Sequence, residues 1–171
     1  LRRTAPSSAT SSWKANALWA GFGGGCETNN DGDPIVQYDK MAHRWVMTQF
    51  SVSTKPYLQC IAVSSSDSFY DSFFGVGGAT FYRYAFSYSN FNDYPKLGVW
   101  PDAYYVTFNM FKGNFVGPWA CAYDRAKMLA GLPATQVCFK ISSSYSSLVP
   151  ADLDGDALPP ANSPNYLLSL G

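Results

Sequence analysis

Seven short segments of this chain are predicted β-strands, and they constrain its fold more than any other feature. Each is rich in β-branched and aromatic residues and is bounded by Gly, Pro, Asn, Asp or Ser. In chain order they are DPIVQYD, RWVMTQFSV, YLQCIAVS, ATFYRYAFSYS, AYYVTFNMF, TQVCFKIS and NYLLSL. This pattern predicts an all-β, mostly antiparallel fold. One short helix is predicted near residues 124–131, because Asp124 can cap its first turn and Gly131 can end its last.

Length and composition indicate one folded domain over residues 1–171, with residues 1–16 as an N-terminal extension. Apolar residues make up 47% and charged residues only 14%, which excludes a disordered chain. Twelve basic and twelve acidic residues leave no net charge, so nothing favours a nucleic acid or an anionic membrane surface as partner. No apolar run approaches the roughly 20 residues of a membrane span. The first residues also lack the apolar core of a signal peptide.

The aromatic segments recur with a period of about 60 residues, which suggests a repeat. Three aromatic residues that begin such segments are spaced by 60 and 61 residues, and an aspartate precedes each by 12 residues. The three pairs are Asp33 with Trp45, Asp93 with Tyr105, and Asp154 with Tyr166. The predicted units are 17–75, 76–138 and a partial copy at 139–171.

A period near 60 fits the blade of a β-propeller, although blades usually have about 40 to 50 residues. Closed propellers need about four blades or more, so fewer than three copies predict an incomplete propeller with open strand edges. We expect those edges to pair with other copies, which predicts a homo-oligomer or polymer. A β-sandwich is the alternative fold.

Four cysteines, Cys26, Cys60, Cys121 and Cys138, allow three pairings and contain no C-x-x-C metal or redox motif. Two disulfides and an oxidising compartment are the favoured interpretation, and four buried thiols are the alternative. Pairing of Cys26 with Cys60 and of Cys121 with Cys138 is favoured because each pair joins neighbouring predicted strands, although the sequence does not fix the connectivity.

The run LWAGFGGGCETNNDGDPIVQYDKMAHRWVMTQF, with YLQCIAVS, YRYAFSYSNFNDYPKLGVWPDAYYVTFNMF, CAYDRAKMLAG and SPNYLLSLG, resembles a propeller-like β-domain of large secreted bacterial and environmental proteins. The resemblance covers roughly residues 17–171. It implies secretion, a disulfide-containing all-β fold, and further blades outside this chain. It implies no reaction and no functional residues.

Two acidic loops are candidate calcium sites because hard cations bind several oxygen ligands on one short loop. The first offers Asn29, Asp31 and Asp33, and the second offers Asp152, Asp154 and Asp156. Neither continues as an EF-hand, since Pro34 and Ala157 stand where that loop needs glycine. The alternative is a turn whose side chains accept hydrogen bonds from nearby amides.

A carbohydrate-active enzyme is the alternative function, since glycoside hydrolysis needs two facing carboxyl groups. The weak catalytic candidates are Glu27, Asp33, Asp102 and Asp154. Because Asp33 and Asp154 recur at matching positions of the repeat, a role in building turns explains them more simply. His43, the only histidine, is predicted to lie in a turn between two strands, and no motif for nucleophilic catalysis accompanies it.

Aromatic side chains could instead form a sugar-binding platform or a protein interface. In FYRYAFSYS, alternation places Tyr82, Tyr84, Phe86 and Tyr88 on one face, which we expect to pack against a neighbouring sheet. Trp13, Trp19, Trp100 and Trp119 are the other platform candidates. The sequence therefore favours a secreted, disulfide-stabilised β-module that acts by assembly or binding, with no catalytic residue or cofactor assigned.

Overall fold

The computed structural model describes residues 14–155 and 157–169, and these residues form a mostly β structure. Two antiparallel sheets contain four strands each, in chain order. The first sheet contains β1 (Ile35–Asp39), β2 (Arg44–Ser51), β3 (Tyr57–Ser64) and β4 (Phe81–Tyr88). The second contains β5 (Phe91–Val99), β6 (Tyr104–Lys112), β7 (Asn114–Tyr123) and β8 (Gln136–Lys140). A short antiparallel pair joins β9 (Val149–Pro150) to β10 (Leu167–Leu168).

The helices are short and lie between or before the strands. They are a 3-10 helix at Ala15–Trp19, α1 (Gly24–Thr28), α2 (Phe69–Phe74), a 3-10 helix at Val76–Gly78, and α3 (Arg125–Leu129). The predicted helix near 124–131 is confirmed as α3. The Asp124 carboxylate accepts a hydrogen bond from the Lys127 amide at 3.1 Å, and Gly131 adopts a left-handed φ of 69° beyond the helix.

One apolar core lies between the two sheets. The first sheet contributes Val46, Ile61, Val63, Phe86 and Tyr88, and the second contributes Leu97, Val106, Phe108, Met110 and Tyr123, among others. The prediction that the aromatic face of β4 packs against a neighbouring sheet is therefore confirmed for Phe86 and Tyr88, with Tyr84 partly buried beside them, whereas Tyr82 lies outside this core. Trp19 and Trp100 are also buried, at 1% and 7% exposure, so neither offers an open stacking face.

The N-terminal segment covers the opposite face of the first sheet. Leu18, Trp19 and Cys26 pack on Cys60, Ala62 and Phe81 in a second, smaller core. A disulfide joins Cys26 to Cys60 and fastens α1 to β3. A second disulfide joins Cys121 of β7 to Cys138 of β8, which are directly opposite in the strand register. Both pairings are the ones that the sequence favoured.

The 60-residue spacing falls on equivalent strands in the two sheets, since Trp45 and Tyr105 are the second residues of β2 and β6. The aligned aspartates are not equivalent, because Asp33 precedes β1 whereas Asp93 lies inside β5. The predicted boundary at 75/76 lies within the first sheet, between β3 and β4. Tyr166 leads only into the two-residue strand β10. Two similar four-stranded sheets are thus present, and neither closes on itself in the part of the chain that the structure describes.

Candidate functional site

Glu27, a catalytic candidate, accepts hydrogen bonds from the loop that precedes it. Its two carboxylate oxygens accept hydrogen bonds from the amides of Gly21 at 2.9 Å and Gly23 at 2.7 Å. These bonds, from Gly21 first and then Gly23, lower the pKa of Glu27 below its ordinary value of 4.5. An acid catalyst needs the opposite shift, because it must hold a proton near neutral pH. This carboxylate is therefore suited to shaping the GFGG loop.

The first acidic loop is bonded to the segment that follows β2. Asn29 donates to the hydroxyls of Ser51 at 2.9 Å and Thr54 at 2.8 Å. Asp31 accepts from the amides of Val52 at 2.6 Å and Ser53 at 2.8 Å, and also from the Ser53 hydroxyl. Partial burial alone would raise the pKa of Asp31, but the bonds from Ser53 and Val52 outweigh it and lower the pKa.

His43 occupies a turn, as its sequence context predicted, and Asp33 lies in the connection that leads into β1. Asp33 is exposed and has a left-handed φ of 46°, a conformation that Asp tolerates better than most residues. His43 is exposed between β1 and β2, with a φ of 54°. Its ring lies 6.5 Å from the Tyr38 ring, centroid to centroid. These observations support roles in local backbone geometry for both residues.

Asp102 accepts a hydrogen bond from the Tyr105 hydroxyl at 2.9 Å. Burial and this hydrogen bond raise the pKa of Tyr105 to about 12, so the phenol stays protonated at neutral pH. Asp102 lines a cavity of about 600 Å³ together with Trp100 and the proline-rich segment 158–164. The Trp100 indole donates to the Ser163 carbonyl at 2.9 Å, which fixes this ring to the cavity wall.

The second acidic loop ties the C-terminal segment to both sheets. Asp152 accepts from the Val99 amide at 2.6 Å and from the Gln37 side chain at 3.5 Å. Burial is the largest influence on the Asp152 carboxyl and raises its pKa. The Asp154 carbonyl accepts a hydrogen bond from Lys40. Asp156 lies outside the described residues.

Within residues 14–155 and 157–169, no three or more His, Cys, Asp or Glu side chains form a group that could hold a metal ion. Asp31 and Asp152 accept hydrogen bonds from amides 21 and 53 positions away in the sequence, so these carboxylates tie their loops to other segments. Calcium binding by these loops stays a prediction.

Asp39, Tyr104 and Arg125 form a buried ionic centre that no sequence motif indicated, here called the Asp39 centre. Arg125 donates from Nε to Asp39 Oδ2 at 2.7 Å and from Nη2 to Oδ1 at 2.9 Å. The Tyr104 hydroxyl donates to Asp39 Oδ2 at 2.9 Å. The Asp39 side chain is 0% exposed and that of Arg125 is 12% exposed. This centre joins the end of β1 to β6 and α3.

The partners of Asp39 in this centre have pKa values shifted upward. Burial, then the Asp39 charge and hydrogen bond, raise the pKa of Tyr104 far above neutral pH. Burial alone would lower the pKa of Arg125, but the hydrogen bond and charge of Asp39 outweigh it and raise the pKa. Neither Tyr104 nor Arg125 therefore exchanges its proton readily near pH 7, as a general acid or base must. The centre is therefore a structural link between the sheets.

A second buried polar group lies beside the Cys121–Cys138 disulfide. The Tyr88 and Tyr123 hydroxyls are hydrogen-bonded to each other, and the Tyr88 hydroxyl also donates to the Gln136 side chain at 2.7 Å. Burial raises the pKa of both tyrosines. Because Gln136 belongs to β8, this group holds β8 to the core from its inner side.

The outer strands of the two sheets differ in how they are protected. Pro34 precedes β1, and β5 contains Pro95 with a register shift between Asp93 and Lys96. The loop after α3 lies against the core-facing side of β4, where the Tyr84 hydroxyl is 3.2 Å from the carbonyl oxygens of Met128 and Leu132. Prolines and bulges discourage pairing with another chain.

β8 has none of these protections. It contains neither proline nor bulge, and only β7 pairs with it among the residues described. Val137 and Phe139 on its outward face are 58% and 63% exposed. An unpaired strand edge beside exposed apolar side chains is suited to binding another strand.

No helix among the described residues is long and apolar enough to cross a membrane. In comparisons with known proteins, no family model, curated protein or solved structure matches this chain. The site is therefore defined by its own geometry, in which Glu27, Asp31 and Asp152 accept hydrogen bonds from backbone amides and, among the described residues, only β7 pairs with β8.

Proposed function

We propose that this protein is a secreted, disulfide-stabilised β-module that acts by binding or self-assembly, as a structural subunit of an extracellular assembly. The open edge of β8, with Val137 and Phe139 exposed beside it, is the observation that carries this proposal. Two disulfides are consistent with an oxidising location, where such bonds persist.

The proposed assembly extends the sheets beyond one chain. The sequence resemblance implies further propeller blades, and either such blades or other copies of this chain would serve to cover the open edges. A strand edge that binds another strand gains main-chain hydrogen bonds, while side chains beside it supply specificity. An assembling module of this kind needs no cofactor.

The carbohydrate-active alternative is less favoured because two of its candidate carboxylates, Glu27 and Asp102, have other partners. Glu27 accepts from two loop amides, and Asp102 accepts from Tyr105. Asp33 remains exposed. Hydrolysis of a polysaccharide panel by the wild-type protein that is lost in Asp33→Asn would favour the alternative instead.

Sedimentation equilibrium of the purified wild-type chain tests the proposed self-assembly. We expect an average mass above 18.7 kDa, the mass of one chain, that rises with concentration. A mass of one chain at all accessible concentrations would contradict self-assembly. An unrelated binding partner would then be the remaining form of the proposal.

A further inference from the structure

The hydrogen-bond pattern of β8 shows which of its backbone groups point toward β7 and which point away from it. The Ile141 amide donates to the Pro118 carbonyl at 2.9 Å, and the Asp124 amide donates to the Thr135 carbonyl at 3.0 Å. In an antiparallel ladder, hydrogen-bonded and non-hydrogen-bonded positions alternate. Odd-numbered residues from 135 to 141 therefore direct their amides and carbonyls toward β7.

The Cys121–Cys138 disulfide independently confirms which β8 residues are hydrogen-bonded to β7. Cys121 and Cys138 are opposite each other with their Cα atoms 4.0 Å apart. Such a short separation belongs to a non-hydrogen-bonded pair, for which about 4.5 Å is typical, against about 5.5 Å for a hydrogen-bonded pair. The amides and carbonyls of Gln136, Cys138 and Lys140 therefore point away from β7, toward the open edge.

We propose that β8 pairs antiparallel with β8 of a second copy, about a two-fold axis at Cys138. This inference rests on the proposed function and names the partner and the surface of the assembly. Cys138 faces Cys138 of the second copy as a hydrogen-bonded pair, and Gln136 faces Lys140 on either side. The three outward residues of each copy then form six main-chain hydrogen bonds. The two four-stranded sheets become one eight-stranded sheet.

The side chains of β8 are complementary to themselves in this register. Val137 of each copy lies opposite Phe139 of the other, as a non-hydrogen-bonded pair with close side chains. A β-branched residue opposite an aromatic one is a favourable cross-strand pair. Lys140 lies opposite Gln136, so no like charges face each other. The chain also has no net charge, so no net charge-charge repulsion opposes the approach of two copies.

Two charged variants and their mixture test this pairing in sedimentation velocity experiments on the whole chain. Val137→Glu and Phe139→Lys each place a charge in the apolar pair, so we expect each variant alone to dissociate at a concentration at least about tenfold higher than wild type. In an equimolar mixture, position 137 of one variant faces position 139 of the other, with opposite charges. We expect the mixture to associate more tightly than either variant alone.

Val36→Glu is the matched control, because Val36 is 49% exposed on β1, an outer strand of the first sheet. We expect it to associate like wild type. Both β8 positions are exposed, and thermal melting followed by circular dichroism checks that each variant is folded. If wild type associates and the β8 variants do so equally well, the β8 pairing is wrong and the proposed self-assembly stands. If wild type does not associate at all, the β8 pairing and the proposed self-assembly are both wrong.

Discussion

At the scale of single residues, the Asp39 centre shows how a buried charge can be kept in a sheet interface. Asp39 has hydrogen bonds from Tyr104, from two nitrogens of Arg125 and from the Ala42 amide at 3.0 Å. A buried carboxylate is tolerated when its lone pairs are satisfied in this way. The centre therefore fixes the position of β1 relative to β6 and α3.

Removing the cation from this centre should destabilise the fold strongly. Arg125→Met leaves the buried Asp39 carboxylate without its counter-charge, so we expect a loss of about 3–5 kcal/mol in the free energy of unfolding. Urea denaturation at pH 7 measures it. Lys127→Met on the same helix is the control, because its pair with Asp124 is exposed and should change stability by less than about 1 kcal/mol. Equal losses in the two variants would contradict a structural role for the centre.

Asp31 should stabilise the protein more at neutral than at acid pH. Its pKa is lower in the folded chain than the ordinary 3.8, so its contribution is present above 3.8 and is lost as the pH falls through the folded value. We expect Asp31→Asn to be less stable than wild type by about 1 kcal/mol at pH 7, and the difference to shrink toward pH 2. Urea denaturation across this pH range gives the result, and a difference independent of pH would contradict it.

The contribution of Asp152 to stability should change with pH in the opposite direction. Burial raises its pKa in the folded chain above 3.8, so the folded state takes up a proton first and the penalty of the buried charge disappears as the pH falls. Asp152→Asn keeps an oxygen that can accept from the Val99 amide and removes the charge. We expect this variant to be more stable than wild type at pH 7 and equal to it below pH 3.8. Lower stability of the variant at pH 7 would contradict this account.

At the scale of elements, the sequence missed the two long strands β5 and β7 and the two-residue strand β9. Pro95 and Gly98 interrupt β5, and Gly117 and Pro118 interrupt β7, so neither segment shows an unbroken strand pattern. The structure accommodates Pro95 at the register shift of β5. The six longer strands that were predicted contain no such interruption within their paired residues.

The candidate site was only partly predictable, because part of it depends on contacts between residues far apart in the sequence. The acidic loops and the turn at His43 are local features, and residue type and spacing were enough to find them. The Asp39 centre joins residues 86 positions apart in the sequence. The sequence around Asp39 is typical of a turn and does not indicate a buried ion pair. The open edge of β8 depends on strand order, which no local pattern gives.

The two disulfides should differ in their contribution to stability. They close segments of 34 residues for Cys26–Cys60 and 17 residues for Cys121–Cys138. We expect removal of either pair by Cys→Ala substitution to cost about 2–4 kcal/mol. Because a doubled loop length adds about 0.6 kcal/mol, removal of Cys26–Cys60 should cost slightly more. Urea denaturation of both double variants measures this, and a loss below about 1 kcal/mol in either would contradict a stabilising role.

At the scale of the whole molecule, two packed sheets with an open edge explain why the chain is expected to associate. The N-terminal segment and the inter-sheet core cover both faces of the first sheet, while one edge of β8 is unpaired in the part of the chain that the structure describes. A five-residue edge makes a small contact, and interfaces below about 1,200 Å² are usually weak and transient. Association through β8 alone should therefore depend strongly on concentration.

Amide hydrogen exchange of the wild-type protein at several concentrations tests the β8 pairing most directly. The account predicts that the amides of Gln136, Cys138 and Lys140 exchange more slowly as concentration rises. Those of Val137 and Phe139, already directed at β7, should exchange at the same rate throughout. Fast exchange of the three outward amides at every concentration, in a chain that nevertheless associates, would contradict it.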